Sequence, residues 1–593
     1  MNGSRNGIPT VAAVALVLLA SGCATVPTGG RVVSGNPPER VEQVDNPYVR
    51  LIPVRPQNGW GPEQIVSGFM AASASFDDDH KVAKEYLSAP TVWQPGPRPA
   101  VTVLKDRGNP RVRANASEAT VEMTGTQYGR IGADGQYTAE PDNVTVTFNL
   151  TKPRPNSQWR ISGMPADMRG RLLLTKADVD RTFRPLNLYF FAPGQRTLVP
   201  NGVFLPMANR QELPTRLVQA LLAGPTSWLG QAVKSAFPAG TRLLGGKVDV
   251  VKDVAVINLS AEGGGGNVAR MSGQLAWTLR QLPEIKEWRL AIDGETVAPQ
   301  QSVHNLDTFS PEGPSQSQGG RNPYIVGAAG NLSELVNDQP HPVLSTGPRM
   351  HRPAVAPNYT EIAGLSQQAD KLLGGARVGN SLPVKTFLGV GRDGARFTAP
   401  SWGMDGSLWT VESAKNKSWL WVRQHRGKPM GQVKHWGLGG REVMAFRVAR
   451  DGVRVAAIVK VDNRPQIQIG RIATTPEGGL DVGSFLPVSS ELVETIDLAW
   501  RDYDTLAVLG RRVSDTQVLP YLVPVNGSAI SPLGVGALGE PRTIAAAPDS
   551  PVLIGTRTQQ DQICRQAPAR DTASEAFGEW VCPIAGSDPT YPS

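Results

Sequence analysis

The sequence predicts a multidomain fold in which two α+β domains are followed by an all-β propeller of five or six blades. Two segments in the first half mix amphipathic helices with alternating strands, whereas the second half repeats paired apolar strands at a regular spacing. The chain of 593 residues also contains 63 Gly and 50 Pro, a composition typical of many turns and short strands. We place the boundaries at residues 1–22 for a leader, 23–58 for a tether, 59–184 and 185–318 for the two α+β domains, and 319–593 for the propeller.

The leader ends in a cysteine that the pattern marks for lipidation. The apolar run from Val11 to Ala20 follows Arg5 and has the length of a signal-peptide core, which is too short to cross a bilayer. The letters "LLASGC" resemble a bacterial lipobox, although Ala20 stands where Leu is preferred. That resemblance implies S-diacylglycerol and N-acyl chains on Cys23, enough for stable membrane anchoring. The alternative is an ordinary secreted protein with an accidental cysteine.

The two remaining cysteines, Cys564 and Cys582, form an even pair in a chain that the leader directs out of the cytoplasm. We expect a disulfide between them, because exported proteins meet an oxidising environment. Two free buried thiols are the alternative. Neither His nor another Cys lies nearby, so we predict no metal site there.

The first α+β domain begins with a helix and continues with strands. Pro62 suits a first helical turn, and the apolar residues Ile65, Val66, Phe69 and Met70 share one helical face. A second short helix follows through Val82, and then come the strand-like segments "AVTVL", "SEATVEMTGTQYG", "NVTVTFNLTK" and "QWRISGMP". Helices followed by a curved antiparallel sheet resemble the cone-shaped NTF2-like family.

The second α+β domain combines two helices with two strand pairs. One helix carries Leu217, Val218, Leu221 and Leu222, and the other carries Val268, Met271, Leu275, Leu279 and Leu282. The segment "KVDVVKDVAVINLS" predicts a hairpin, and "EWRLAIDGETV" predicts a strand that enters an Asp-Gly turn. The ordered motifs "LLAGP", "FPAGTRLL", "VAVINLS" and "AIDGE" resemble the GerMN domain of spore-germination proteins and exported lipoproteins.

The C-terminal segment repeats a strand, a polar turn and a second apolar strand. Five turn residues mark the repeat at spacings of 46 to 51 residues: Asn358, Asp405, Asp451, Asp502 and Asp549. This period fits a four-stranded propeller blade, which must stack on its neighbours to bury both faces. A sixth blade would come from the segment before Pro353 and the chain's end. A β-sandwich with fortuitous spacing is the alternative.

The sequence offers no positive argument for catalysis, a cofactor or a metal. The "GVGRDG" stretch at residues 389–394 is followed by a strand rather than a helix, so we interpret it as a turn and not as a nucleotide site. The "DDDH" run at residues 77–80 cannot converge on one ion, and an Asp at a helix start explains it more simply. The net charge of +8 comes from bases that we take as scattered, without the basic stripe that nucleic-acid binding requires.

The order of lipobox, tether, NTF2-like unit, GerMN unit and propeller resembles the actinobacterial lipoprotein LpqB family. That resemblance implies a non-enzymatic lipoprotein on the extracytoplasmic face of the cell membrane. It further implies that the chain binds the sensor domain of the histidine kinase MtrB and modulates MtrA signalling in cell division and envelope homeostasis.

Two other functions remain open at this point. One is an envelope hydrolase with its site in the propeller channel. The other is a wall-polymer binder that stacks sugars on the tryptophans of one segment, namely Trp402, Trp409, Trp419, Trp421 and Trp436. The same tryptophans could equally be core residues of two blades.

Overall fold

The computed structural model describes residues 52–194, 197–207, 210–303, 322–534, 538–566 and 579–592. The predicted tether therefore lies mostly outside the described residues, and Cys23 lies wholly outside them. Across the described ranges, none of the helices has both the length and the apolar character needed to cross a bilayer.

The first domain packs helices against one curved sheet of seven strands, whose long strand β3 runs through its centre. Its helices are α1 (Pro62–Ser73), α2 (Lys81–Lys84) and α3 (Lys176–Thr182). Its strands are β1 (Ala100–Leu104), β2 (Arg111–Ala114), β3 (Glu118–Ile131), β4 (Tyr137–Thr138), β5 (Asp142–Thr151), β6 (Arg160–Gly163) and β7 (Arg171–Thr175).

The predicted face of α1 is confirmed, since Ile65, Val66, Phe69 and Met70 are all buried in the core of this domain. Pro62 takes the first helical position, where its missing N–H leaves no hydrogen bond unmade. Strand β7 was not predicted; it pairs parallel to β1 and forms one edge of the sheet.

The second domain combines a two-stranded and a four-stranded sheet with two helices. The strands are β8 (Phe183–Phe191), β9 (Leu198–Pro206), β10 (Asp249–Val251), β11 (Val254–Leu259), β12 (Glu287–Ile292) and β13 (Glu295–Ser302), and the helices are α4 (Leu213–Leu222) and α5 (Val268–Leu279). The predicted hairpin turns at Lys252 and Asp253, both with positive φ. Three details differ from prediction: Leu222 and Val268 are only partly buried, and Leu282 packs in the core beyond the end of α5.

Within the described residues, the C-terminal domain is a propeller of six blades. Blade one contains β14 (Tyr324–Gly327), β15 (Leu332–Val336) and β16 (Gln339–Pro342); a small strand β17 (Leu344–Thr346) follows. Blade two contains β18 (His351–Val355), β19 (Glu361–Leu365), β20 (Lys371–Ala376) and β22 (Lys385–Gly389), while β21 (Ser381–Pro383) pairs with β17. Blade three contains β23 (Arg396–Phe397), β24 (Ser401–Trp402), β25 (Leu408–Ala414), β26 (Lys417–Arg423) and β27 (Gly431–Gln432).

The remaining blades complete the ring. Blade four contains β28 (His435–Trp436), β29 (Val443–Val448), β30 (Arg454–Val461), β31 (Arg464–Thr474) and β32 (Leu480–Pro487). Blade five contains β33 (Leu492–Trp500), β34 (Thr505–Arg512), β35 (Leu519–Pro524) and β36 (Ser531–Pro532). Blade six contains β37 (Glu540–Ala545), β38 (Leu553–Arg557), β39 (Asp561–Gln566) and the first half of β40 (Trp580–Thr590).

The last strand closes the propeller. The first half of β40 pairs with β39 of blade six, and its second half pairs with β14 of blade one. The second half therefore supplies the inner strand of blade one and contacts β18, the inner strand of blade two. In each of blades two to six, one landmark turn joins the inner strand to the next strand outward. Blade one has no such turn, because its first two strands come from opposite ends of the domain.

The second domain and the propeller share one hydrophobic core, which continues from α4 and α5 into blades four and five. Polar contacts reinforce this junction: Asn187 Nδ2 donates to Asp504 Oδ2 at 2.7 Å, and Trp228 Nε1 donates to the Ser484 carbonyl at 2.6 Å. The first domain reaches the same blades through Ala139, whose N–H donates to the Pro487 carbonyl at 3.1 Å. The three domains thus form one packed body, in which both α+β domains contact the propeller.

Candidate interaction surfaces

Ion pairs join inner strands of the propeller. Asp497 on β33 lies 2.9 Å from Arg352 Nη1 and 3.4 Å from Arg447 Nη2, and it also accepts hydrogen bonds from two backbone N–H groups. Asp588 on β40 lies 3.6 Å from Arg352 Nε. Each of these carboxylates is therefore held by an arginine, and the pair does not offer the free acid and base that a glycosidase site requires. The ion pairs instead join inner strands of four blades, and the Ile544 N–H adds an inner strand of a fifth.

The five tryptophans of the wall-polymer hypothesis belong to the packing of the blades. Trp402 and Trp409 are buried, and their indole N–H groups donate to the Ala354 carbonyl and to Ser407 Oγ. The indole N–H groups of Trp421 and Trp436 donate to Glu412 and Ser418, while the Arg392 guanidinium stacks over Trp419 at 4.1 Å. The structure favours the core alternative for Trp402 and Trp409, whereas Trp419, Trp421 and Trp436 are half-buried.

The "GVGRDG" stretch follows β22 as the connection into blade three. The Gly391 N–H and the Arg392 guanidinium both donate to the buried carboxylate of Glu412, at 2.9 and 2.7 Å. The stretch is a turn that satisfies a buried acid, and it does not lead into a helix whose N-terminus could face a phosphate.

The "DDDH" run is a tight left-handed turn before α2. Asp78, Asp79 and His80 have φ values of 45°, 52° and 57°. His80, rather than an Asp, occupies the cap of α2, so the expected helix-start role of an aspartate is not seen. The His80 ring is buried between Phe76 and Trp93, and burial lowers its pKa. Among the described residues, no group of three His, Cys, Asp or Glu side chains could hold a metal ion.

The structure joins Cys564 and Cys582 by a disulfide between the neighbouring strands β39 and β40. Cys564 is fully buried, and the bond lies in blade six beside the strand that completes the ring. The predicted lipidation residue, Cys23, lies outside the described residues.

Two cavities bear on ligand binding in the α+β domains. The interior of the first domain is filled: the void among Phe69, Trp93 and Phe148 measures about 10 Å³, less than a small ligand needs. A larger cleft of about 1130 Å³ lies between the two α+β domains. Its charged residues are largely paired, with Arg216 2.9 Å from Glu212 and Lys247 2.7 Å from Asp249.

Aspartates gather where the propeller meets the second domain. Burial, together with the like charge of Asp504, raises the pKa of Asp502 to about 6. Asp504 accepts the hydrogen bond from Asn187, and Tyr503 contacts the rings of Tyr189 and Trp277. This acidic cluster belongs to the domain junction.

One concentration of charge escaped the sequence analysis, which took the bases as scattered. Residues 413–441 contain no Asp or Glu, and all of their Lys and Arg residues except Arg423 are exposed. The exposed cations are Lys415, Lys417, Arg426, Lys428, Lys434 and Arg441, which we call the basic edge. A search for long acid-free segments would have revealed it, whereas the overall charge of +8 hides it.

Known proteins resemble this chain over its whole length. Residues 55–180 match the family model "Lipoprotein LpqB, N-terminal domain", residues 187–298 match "Sporulation and spore germination", and residues 330–592 match "Lipoprotein LpqB beta-propeller domain". The chain is 33% identical to Lipoprotein LpqB of Thermobifida fusca, with 100% of both chains covered. It is 30% identical to Lipoprotein LpqB of Streptomyces avermitilis over 90% of both chains.

Solved structures show weaker likeness. TolB from Acinetobacter baumannii aligns with a TM-score of 0.35 and 14% identity, covering 53% of this chain and 85% of that chain. The tandem GerMN domains of GerM from Bacillus subtilis align with a TM-score of 0.17 and 17% identity, covering 26% and 59%. The sequence relatives are decisive, and together with the domain order they confirm the predicted fold class. The chain belongs to the LpqB lipoprotein family.

Proposed function

We propose that this lipoprotein is a non-catalytic accessory of a two-component system. In this proposal Cys23 carries the lipid anchor, the three domains stand on the extracytoplasmic face of the membrane, and the body binds the extracytoplasmic domain of an MtrB-like sensor histidine kinase. Binding would modulate signalling through the MtrA-like regulator in cell division and envelope homeostasis. Membership of the LpqB family carries the proposal, because the kinase partnership is what that resemblance implies.

The arrangement of the described domains supports a binding role. The carboxylates of the propeller channel are bound to arginines, and the first domain has a filled interior. The outer surfaces of the three packed domains, and the cleft between the two α+β domains, are available for contact with another protein. A common bilayer would raise the effective concentration of the two partners to about the mM range, so even a weak contact would be populated.

Retention of the kinase's extracytoplasmic domain by the full-length, detergent-solubilised lipoprotein tests this proposal. We expect retention that is specific, with the sensor domain of an unrelated kinase as the control. A full-length Cys23→Ala variant should bind the same domain in detergent but should leave the membrane fraction of cells. Absence of retention at high protein concentration would count against the kinase partnership.

A further inference from the structure

The basic edge is continuous in space, because its residues lie along β26 of blade three and along the segment Gly431–Gly439. This segment bridges two blades, since it pairs with β26 on one side and with β32 of blade four on the other. The chain from Gly431 to Gly439 runs antiparallel to β26: Gln432 pairs with Trp421, the Val433 N–H donates to the Leu420 carbonyl, and the Ser418 N–H donates to the Gly439 carbonyl. Lys434 therefore lies midway along the edge. The loop with Arg426 and Lys428 lies at one end, and the cations Lys415, Lys417 and Arg441 lie at the other. The seven residues of β26 make this edge about 24 Å long.

None of the six cations forms an ion pair with a described carboxylate. Two other arginines that pack in the same blade show the contrast: Arg423 lies 3.2 Å from Glu361, and Arg392 lies 2.7 Å from Glu412. The carboxylates that come near the edge belong to blade four, where Asp481 pairs in register with His435 and lies 3.7 Å from Arg471. Within the described residues, the charge of the basic edge is thus not neutralised by any ion pair.

The chemistry of the edge favours a diffuse anionic surface over a protein partner. Protein interfaces are built around exposed apolar or aromatic residues and are depleted in lysine. Among the described residues, no large hydrophobic side chain between residues 413 and 441 is exposed. Acidic lipid headgroups attract clustered Lys and Arg without any apolar contact, each cation near the surface strengthening binding about fivefold.

We propose that the basic edge of blade three contacts the acidic phospholipid headgroups of the membrane to which the lipoprotein is anchored. The chain then has two attachments to the bilayer, the lipid and the edge. A single anchor leaves the body free to rotate, whereas the second contact sets its orientation. In a ring of six, blade six lies opposite blade three, so the disulfide-bearing blade faces away from the lipid.

Energy transfer from the protein to a headgroup-labelled lipid tests this orientation. The full-length lipidated chain, with Gln424→Cys as its reactive thiol, carries a donor beside the basic edge; a second sample carries the donor at Gln560→Cys in blade six. Vesicles contain either phosphatidylcholine alone or about 30 mol% phosphatidylglycerol. We expect transfer at the Gln424 site to rise about twofold or more with phosphatidylglycerol and to fall back near 1 M salt, where the screening length is about 3 Å. Transfer at the Gln560 site should stay low.

Charge reversal completes the test. The variant Arg426→Glu/Lys428→Glu/Lys434→Glu should lower transfer in the acidic vesicles to its neutral-lipid value. The matched control Lys105→Glu/Arg113→Glu/Arg154→Glu changes the net charge equally at exposed positions of the first domain that form no ion pair with a described carboxylate, and it should leave transfer unchanged. Transfer that does not change with phosphatidylglycerol would overturn the proposal.

A second contradicting outcome is a triple variant that keeps full transfer but no longer binds the kinase domain or no longer sediments with cell wall. In that case the basic edge would bind a protein or a polymer. The kinase retention experiment does not depend on this result.

Discussion

Arginines and lysines have opposite surroundings in two regions of the propeller. In the central channel, Arg352 and Arg447 converge on one buried carboxylate, Asp497, which is 2% exposed. At the basic edge of blade three, cations such as Lys428 and Lys434 are exposed and pair with no carboxylate among the described residues. The same residue types therefore have two roles. Arginines that share a buried carboxylate stabilise the ring, whereas exposed cations without such a carboxylate can bind another surface. Substitutions in the channel should therefore change the stability of the fold, whereas substitutions at the basic edge should leave it nearly unchanged.

The largest effect is expected at the channel. Replacing Asp497 by Ala leaves two partly buried arginines without their shared counterion and removes the acceptor of the Leu498 and Ile544 N–H groups. Breaking such a pair lowers the free energy of unfolding by about 3–5 kcal/mol. Urea unfolding followed by tryptophan fluorescence measures the change. Lys428→Glu is the control and should change stability by less than about 0.5 kcal/mol; equal losses in both variants would remove the distinction between the regions.

The second largest loss of stability is expected when the disulfide of blade six is removed. This bond links β39 and β40 covalently and does not depend on charge. The disulfide spans a sequence separation of 18 residues, and a loop of this size stabilises a fold by about 3 kcal/mol in the chain-entropy model. The Cys564→Ser/Cys582→Ser variant should therefore melt earlier than the oxidised wild-type chain in calorimetry. Reductant should lower the wild-type melting temperature toward that of the variant and leave the variant unchanged. A wild-type transition insensitive to reductant would show that the bond does not stabilise the propeller.

The smallest of the three effects concerns Asp502, a partly buried acid without the arginine pair that Asp497 has. Its pKa is raised from 3.8 to about 6, so the folded chain holds this proton more tightly than the unfolded chain. The contribution of Asp502 to stability is therefore most favourable below about pH 4 and falls as pH rises toward 6. Asp502→Asn should raise the free energy of unfolding by about 1–2 kcal/mol above pH 6 and change little below pH 4. A benefit that persists at pH 3.5 would mean that titration is not its cause.

Sequence patterns predicted the elements that follow from local spacing. They did not predict the strands and ion pairs that form between residues far apart in the chain. The apolar face of α1 and the five landmark turns follow from spacing alone, and both are found in the fold. The strand Arg171–Thr175 was missed because its short apolar run becomes a strand only beside β1, about 70 residues earlier in the chain. The channel network could not be predicted either, since Arg352, Asp497 and Asp588 come from three blades. The basic edge could have been predicted from the sequence, but only from the absence of Asp and Glu between residues 413 and 441.

The position of β40 sets the order in which the domain can be completed. A chain is synthesised from its N-terminus, so β14 to β16 are made long before Trp580–Thr590. Until that strand is present, blade one exposes an open sheet edge, a hazard for pairing with other chains. Loss of Trp580–Thr590 would therefore leave an open ring, and the propeller cannot close before this strand has been synthesised.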